Sequence, residues 1–217
     1  MTRRLLLLFL LASLAAAGCT RAGAQATAPA STARAEPTPV SNATGDTGSG
    51  ALIPVEPVEP APALDLTTHL NTRFDLGSLA GHPVLIFFGY LKCPDVCPAT
   101  FGSMVEVVLA RPDARVVYVT VDPERDTVPA MASALMRYGE AFIGLTGTPA
   151  EIANATANWD VKYEKLEIQV SGGHATYAMA HTADVFLVDP EGRYRGRFPF
   201  GTEASGIITA IDAVSDG

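Results

Sequence analysis

An α/β fold is predicted by three features of the sequence. Two continuous apolar runs, "PVLIFFGY" (Pro83–Tyr90) and "RVVYVTVD" (Arg115–Asp122), are typical of strands buried on both faces. The segment between them, "PATFGSMVEVVLA" (Pro98–Ala110), places apolar residues at helical intervals. Further along, "ADVFLVDPEGRYRGRFPF" (Ala183–Phe200) has the pattern of a hairpin with its turn at "DPEG". Strands and helices therefore alternate, as they do in α/β domains.

The remaining segments complete the predicted order of elements. Helices are predicted at 128–141 and 148–159, a short strand at 142–147, and a closing helix at 202–214. The first helix is expected to begin at Pro98, because proline is favoured at the first helical position. Strand, helix, strand, helix, hairpin and helix is the order of a thioredoxin-like fold, in which helices flank a central mixed β-sheet. Residues 62–217 are assigned to this domain.

Residues 1–18 have the features of a bacterial export signal. Arg3 and Arg4 precede the apolar run Leu5–Ala17. That run is shorter than the about 20 apolar residues that a membrane-spanning helix needs. The junction "AAGC", ending at Cys19, resembles the bacterial lipobox, in which the cysteine becomes an acylated N-terminus, although Ala16 stands where that pattern prefers leucine. A lipoprotein is therefore predicted, with an ordinary secretory peptide as the alternative.

Residues 19–61 are predicted to form a disordered tether. The segment is rich in alanine, threonine, proline and serine, and it ends in "PVEPVEPAPA". Such a composition buries too little apolar surface to offset the entropy lost on ordering. The whole chain carries a formal net charge of −8. Because phosphate binding needs a basic face, this charge argues against nucleic acid as a partner.

Cys93 and Cys97 lie at the predicted junction of the first buried strand and its helix. Two thiols at this spacing form a disulfide, a redox couple or two ligands of a metal ion. A disulfide across three residues closes too short a loop to add much stability, which favours a chemical role. The free N–H groups of a helix N-terminus and the neighbouring Lys92 both favour a thiolate. We therefore expect at least one thiol to have a lowered pKa.

A metal held by two thiolates needs a further ligand, and His181 is the candidate. It stands directly before the predicted final hairpin, at a position that abuts the cysteine turn in a thioredoxin-like fold. Two thiolates and one imidazole make a soft three-coordinate site that suits Cu(I), whereas structural zinc usually takes four protein ligands. A histidine satisfied within the core is the alternative for His181. For His69 and His82, in polar surroundings, a surface role is expected.

Three other side chains are secondary candidates. His174 follows "SGG" and is a candidate to approach the site from a loop. Met179 is a candidate thioether ligand, although apolar packing is its favoured role. Asp126 is a candidate for the metal-binding or partner-binding face, and for Asp122 a structural capping role is favoured.

Four segments in the same order resemble the Sco (SenC) family of copper-handling, thioredoxin-fold proteins. These are "FFGYLKCPDVCP", "VDPERDT", "GLTGT" and "AHTADVFLVDPEG", and the resemblance extends from Leu64 to the C-terminus. The family assembles the dinuclear CuA centre of cytochrome c oxidase. Its copper ligands, carried over to this chain, fall on Cys93, Cys97 and His181.

The chain departs from the family pattern at two places. Leu91-Lys92 stands where threonine and histidine are common before the first cysteine, which leaves the ligands intact. Ala180 stands where aspartate is common before the distal histidine. The second change removes a carboxylate that would hydrogen-bond near the ligand, and such groups influence metal affinity.

The resemblance implies a copper chaperone that delivers copper, as Cu(I) and also as Cu(II), to the CuA centre of cytochrome c oxidase subunit II. The alternative is a thiol–disulfide oxidoreductase that reduces the CuA-site cysteines of the same subunit. Both roles imply a thiol reductant outside the cytoplasm, and the first also implies a copper donor. Together with Cys19, the expected location is the outer face of a bacterial membrane through a lipid anchor, with secretion or an uncleaved N-terminal anchor as alternatives.

Overall fold

The computed structural model describes residues 51–169 and 175–215. The predicted signal peptide, Cys19, residues 20–50 of the predicted tether, and His174 lie outside the described residues. Within the described part of the chain, none of the helices has the length and apolar character needed to cross a membrane.

The described residues form nine strands, four α-helices and one short 3₁₀ helix. In chain order these are β1 (Ile53–Pro60), β2 (Thr67–Thr68), the 3₁₀ helix (Leu76–Leu79), β3 (Val84–Gly89), α1 (Val96–Ala110), β4 (Arg115–Thr120), α2 (Val128–Leu135), β5 (Phe142–Thr146), α3 (Pro149–Asn158), β6 (Tyr163–Gln169), β7 (Ala175–His181), β8 (Val185–Val188), β9 (Arg193–Phe198) and α4 (Ala204–Ser215).

Seven of these strands form one mixed sheet in the order β1-β9-β8-β3-β4-β5-β2. The strands β3, β4 and β5 run parallel to one another. The hairpin β8–β9 and then β1 extend the sheet antiparallel on one side, and β2 pairs antiparallel with β5 on the other. The predicted thioredoxin-like class, a mixed sheet flanked by helices, is confirmed.

The central strand β3 is covered on both faces, which explains its continuous apolar sequence. Leu85 and Phe87 pack in an apolar cluster with side chains of α1, α2 and α4. Ile86 and Phe88 point to the opposite face and pack in a second cluster with α3. Because neither face meets water, polar residues are excluded from both. This packing holds the end of β3 beneath the start of α1, where the two cysteines lie.

The predicted C-terminal boundary of the tether is wrong. The segment Ile53–Pro60, predicted as part of the tether, forms the edge strand β1. It pairs antiparallel with β9, with Pro54 opposite Gly196 and Pro60 opposite Arg193. An edge strand tolerates proline, since the N–H groups on its free side need no partner in the sheet. Gly196 permits the close approach, because a Cβ there would lie 2.1 Å from the carbonyl oxygen of Ile53.

Three further features differ from the prediction, and the first is the start of α1, which is at Val96 rather than Pro98. The helix predicted over 128–141 ends at Leu135, ahead of Gly139, whose φ of +77° lies in the left-handed region that a helix excludes. The hairpin β6–β7 was not predicted, and it forms a separate two-stranded sheet. The described side chains of its strand β6 are exposed, and its apolar residues alternate with polar ones only over the last four residues, which gives a weak strand signal.

Candidate metal centre

The two cysteines lie where β3 hands over to α1, as predicted. Cys93 is in the connecting loop and half-buried, whereas Cys97 is in the first turn of α1 and only 4% exposed. Both are free thiols. The backbone N–H of Cys97 donates a hydrogen bond to the Cys93 sulfur over 3.4 Å. The helix N-terminus therefore directs one of its unpaired donors at a thiol.

His181 joins the two cysteines from a distant part of the chain. It is the last residue of β7, and its Nε2 lies 3.8 Å from the Sγ of Cys97. The two sulfurs and one ring nitrogen all lie within 4.8 Å of one another. The predicted meeting of Cys93, Cys97 and His181 is confirmed, although His181 ends a strand rather than standing in a loop.

The second ring nitrogen of His181 fixes which tautomer faces the thiols. Nδ1 lies 2.9 Å from the carbonyl oxygen of Thr182. A carbonyl only accepts, so Nδ1 carries the proton of the neutral ring and Nε2 keeps its lone pair. The ring is thereby oriented as a metal ligand. Because a backbone carbonyl supplies this contact, the ring does not depend on a carboxylate at Ala180.

The spacing of the three atoms fits one metal ion. Typical metal–sulfur and metal–nitrogen bonds of about 2.3 Å and 2.0 Å, separated by about 120°, place the two ligand atoms about 3.7 Å apart. The Cys97 sulfur and the His181 nitrogen are 3.8 Å apart. Two thiolates with one imidazole are soft donors, and a three-coordinate set of this kind suits Cu(I). The site therefore needs little movement to hold such an ion.

The two thiols differ strongly in acidity. A hydrogen bond from Cys97 lowers the pKa of Cys93 to about 3, with help from the backbone N–H groups of Asp95 and Cys97, and these outweigh its partial burial. The same hydrogen bond and deeper burial raise the pKa of Cys97. Cys93 is thus the thiol whose pKa is lowered, as expected for one of the two cysteines. The contribution predicted for Lys92 is minor, because hydrogen bonds cause most of the lowering of the Cys93 pKa and the Lys92 side chain is exposed.

Alkylation of Cys93 should be almost independent of pH near neutrality. With a pKa of about 3, Cys93 remains a thiolate as the pH falls, whereas Cys97 stays protonated and buried. An ordinary thiol, with a pKa of about 8.5, loses reactivity about tenfold per pH unit below that value. Iodoacetamide rates, resolved for each cysteine by mass spectrometry, measure this. Cys97→Ala should raise the Cys93 midpoint by removing the donor, and Cys97→Ser should raise it less. A tenfold fall per unit at Cys93 would contradict the assignment.

Gly89, the last residue of β3, leaves the space that the Cys97 sulfur occupies. A Cβ at this position would lie 2.6 Å from that sulfur and 3.1 Å from the ring of Tyr118. We expect Gly89→Ala to destabilise the domain by about 1–3 kcal/mol, because the added methyl group overpacks a close contact. Urea unfolding measures the change.

Gly102→Ala is the matched control for Gly89→Ala. Gly102 is exposed within α1 and has nothing within 4 Å of an added Cβ, so alanine there should stabilise the domain by about 0.5–1 kcal/mol. Equal stability of Gly89→Ala and the wild type would show that the cysteine is not held against β3 in this way.

The secondary candidates take structural positions. Met179 is 9% exposed and belongs to an apolar cluster, so the favoured packing role is confirmed. Asp126 is 1% exposed and therefore not on a partner-binding face. Its carboxylate accepts hydrogen bonds from the Leu91 N–H and the Thr120 hydroxyl, which anchors the start of the cysteine loop. Burial raises the pKa of Asp126 above its ordinary value.

The remaining histidines do not join the site. Among the described residues, the only group of three metal-ligating side chains found together is the Cys93, Cys97 and His181 set. His69 accepts a hydrogen bond from the Gly144 N–H at the other edge of the sheet, and burial lowers its pKa. His82 contacts the Asp113 carbonyl oxygen. Both are half-buried rather than freely exposed.

Three residues lie near the site although the sequence did not predict them there. Tyr90 stacks edge-on against His181, with 6.0 Å between ring centroids. The guanidinium of Arg125 stands 5.5 Å from the Tyr90 centroid and 3.7 Å from that of Tyr177. Arg125 lies within the quoted segment "VDPERDT", but nothing in a linear pattern indicates that its side chain reaches a strand fifty residues away.

A thioredoxin-like fold with two thiols and one imidazole around a single point defines a class of redox-active or metal-handling thioredoxin-like proteins. Residues 58–216 match the SCO1/SenC family, and the chain therefore belongs to that family.

Individual relatives agree with this membership. The chain is 34% identical over 140 residues to the mitochondrial SCO2 homolog of Mus musculus, covering 60% of this chain and 52% of that protein. It spans about half the length of the mitochondrial SCO1 and SCO2 homologs that it matches. Among solved structures, copper-bound ScoI of Bradyrhizobium japonicum has a TM-score of 0.62 and 31% identity, covering 72% of this chain and 99% of that one. Apo Sco1 of Thermus thermophilus has a TM-score of 0.63 and 26% identity, covering 78% and 99%.

Proposed function

We propose that this protein is a copper chaperone that binds copper through Cys93, Cys97 and His181. The observation that carries the proposal is the convergence of two sulfurs and one imidazole nitrogen within 4.8 Å. Membership of the SCO1/SenC family supports copper as the metal, and so does the copper-bound ScoI that the chain is similar to. The test is a copper titration of the reduced protein, in which one equivalent should be retained and His181→Ala should weaken retention.

The receiving protein in this proposal is cytochrome c oxidase subunit II, at its CuA centre. The family resemblance supports this target, and the asymmetry of the site supports a handover. Cys93 is half-buried and so within reach of an incoming sulfur ligand, whereas Cys97 is buried behind it. Cu(I) accepts two or three ligands, so an acceptor thiolate can add before the donor sulfurs leave. A copper donor outside the cytoplasm is required to load the site.

A second candidate function is a thiol–disulfide oxidoreductase acting on the CuA-site cysteines of the same subunit. The difference in acidity between the two thiols favours it, because a reactive thiolate at Cys93 is paired with a buried, protonated Cys97. The Cys93 thiolate attacks the target disulfide, forming a mixed disulfide and releasing one target thiolate. Cys97 then loses its proton, attacks the Cys93 sulfur and releases the second target thiolate. An external thiol reductant must afterwards reduce the resulting Cys93–Cys97 disulfide.

The proposed location is the outer face of a bacterial membrane, through a lipid on Cys19. The short apolar run and the "AGC" junction of the sequence support it. We expect Cys19→Ser to move the protein from the membrane fraction to the soluble fraction, as measured by fractionation and immunoblotting. Retention of the variant in the membrane after a high-salt wash would instead indicate an uncleaved N-terminal anchor, and secretion of the unchanged protein would indicate an ordinary signal peptide.

A further inference from the structure

The strand that carries His181 is not part of the main sheet. The strands β6 and β7 pair only with each other among the described residues, from Tyr163 opposite His181 to Gln169 opposite Ala175. No ladder of backbone hydrogen bonds therefore fixes the position of this hairpin against β3 and α1. Besides the short link from His181 to Val185 in β8, side-chain contacts hold β7 and His181 near the thiols.

Arg125 supplies one of these contacts. It lies in the loop between β4 and α2, and its Nη1 donates a 2.9 Å hydrogen bond to the backbone carbonyl oxygen of Tyr177 in β7. Its Nε donates a hydrogen bond to the carboxylate of Asp122, and this bond fixes the orientation of the guanidinium. The carboxylate of Asp122 is itself buried. A fork of this kind is rigid, because several donors are engaged at once.

The ring of Tyr177 completes the attachment. Arg125 stands 3.7 Å from its centroid, and the Nζ of Lys165 on β6 stands 4.0 Å from it. The phenol of Tyr177 donates a 2.9 Å hydrogen bond to Asp122. Lys165 in turn pairs with Glu124 over 2.7 Å. Each strand of the hairpin is thus tied by its side chains to the same loop, 122–125.

The guanidinium of Arg125 also contacts a side chain that packs against the imidazole of His181. Tyr177 and His181 are four residues apart in one strand, so their side chains point to the same face of the hairpin. Tyr90 contacts both the guanidinium and the imidazole, with Arg125 over its ring and the ring of His181 packed perpendicular to it. The Nη2 of Arg125 is buried without a hydrogen-bond partner among the described residues. The central carbon of the guanidinium stands over the two tyrosine rings, whose faces attract a cation.

We propose that Arg125 is a positioning residue for the metal site: it clamps β7 to the β4–α2 loop and thereby holds His181 at the thiols. This rests on the proposed function, since His181 must be a ligand for its position to affect affinity. Loss of the clamp leaves the sulfurs in place and makes the imidazole less available. Copper affinity should therefore fall through His181 alone.

A double-mutant cycle with Cu(I) tests this on the reduced full chain in detergent, using competition with a chromophoric Cu(I) chelator. Arg125→Lys keeps the charge but loses the fork, and it should weaken Cu(I) binding about tenfold, as the loss of a group that orients a ligand does. In the His181→Ala background the same change should cost less than about twofold, because the residue on which it acts is gone. Arg137→Lys is the matched control, since Arg137 is exposed and stands 5.6 Å from the centroid of Tyr138. It should change neither background.

A second measurement follows the clamp without copper. In the metal-free protein, hydrogen exchange of the β7 amides should be faster in Arg125→Lys than in the wild type, and exchange in β3 should be unchanged. Should Arg125→Lys fail to fold, Tyr177→Phe replaces it in both measurements, since it keeps the ring under Arg125 and removes only the phenol's contacts with Asp122 and Glu124. Tyr177→Phe should lower the Cu(I) affinity about twofold to threefold, and only in the protein that retains His181.

The outcomes separate the inference from the proposed function. An equal loss of affinity in both backgrounds, no loss in either, or unchanged β7 exchange would overturn the positioning role and leave the three-ligand site standing. Unchanged Cu(I) affinity in His181→Ala would overturn the three-ligand site itself. The β7 exchange rates would then still decide whether Arg125 holds this strand.

Discussion

Replacing His181 by alanine should weaken copper retention while leaving disulfide reduction almost intact. The change leaves two sulfurs, and Cu(I) tolerates two-coordination, so Cu(I) affinity should fall by about a hundredfold without vanishing. Cu(II) prefers more ligands and nitrogen donors, so its binding should suffer far more. The cysteine pair itself is intact, because the hydrogen bond from Cys97 is the first cause of the lowered Cys93 pKa and does not involve His181.

The two proposed functions respond differently to this substitution. Thiol–disulfide exchange needs only the two sulfurs, so the rate of reduction of a model disulfide should change little. Delivery of copper needs the third ligand, so oxidase maturation in cells should fall. Titration of Cu(I) and Cu(II), a disulfide-reduction assay and oxidase activity measure the three quantities. His82→Ala is the control, since its ring contacts the Asp113 carbonyl oxygen and lies outside the metal-binding group. Normal oxidase maturation with His181→Ala would refute copper delivery through this site and favour the oxidoreductase.

Oxidation of Cys93 and Cys97 to a disulfide should abolish copper uptake. Both thiols are free, and they supply two of the three ligand atoms. A cysteine binds a metal ion as the deprotonated thiolate, and a disulfide sulfur carries no such charge. The remaining imidazole of His181 would be a single ligand. Retention after gel filtration should therefore fall from about one copper per chain to about none, since ligand deprotonation is a condition of binding.

The measurement compares oxidised, reduced and re-reduced samples of one preparation. Re-reduction should restore the full stoichiometry, which shows that oxidation has not unfolded the domain. Cys93→Ser keeps Cys97 and His181 and cannot form the disulfide, so it should bind copper more weakly than the reduced wild type, and equally with or without oxidation. Stoichiometric uptake by the oxidised protein without a reductant would contradict the two-thiolate site.

Much of the core and of the metal-ligand set was predictable from local chemistry. The strands β3 and β4 are buried on both faces, and such burial leaves an unbroken apolar run in the sequence. The position of the cysteines at a strand–helix junction follows from that run and the helical segment after it. His181 was predictable because a soft site with two sulfurs needs another ligand, and the family resemblance identifies the same residue.

Local patterns mislead where a segment owes its structure to a neighbour. The prolines of Ile53–Pro60 predict a tether, but β9 offers a partner for an edge strand that needs few donors. The described side chains of β6 are exposed, and among those of β7 only Met179 is buried in the core, so the hairpin carries little of the apolar pattern that marks a buried strand. Lys92 is next to Cys93 in sequence, yet hydrogen bonds from Cys97 dominate the thiol acidity because they contact the sulfur directly.

By itself, the sequence determined the α/β class, the buried strands and the three residues that hold the candidate metal site. Those features depend on residue type and on spacing along a short segment. The tertiary structure alone decided which nitrogen of His181 faces the thiols, which cysteine is the thiolate, and that Arg125 reaches β7. These depend on distances between segments that are far apart in the chain. Hydrogen bonds and cation–π contacts act over a few ångströms, and only folding brings such segments that close together.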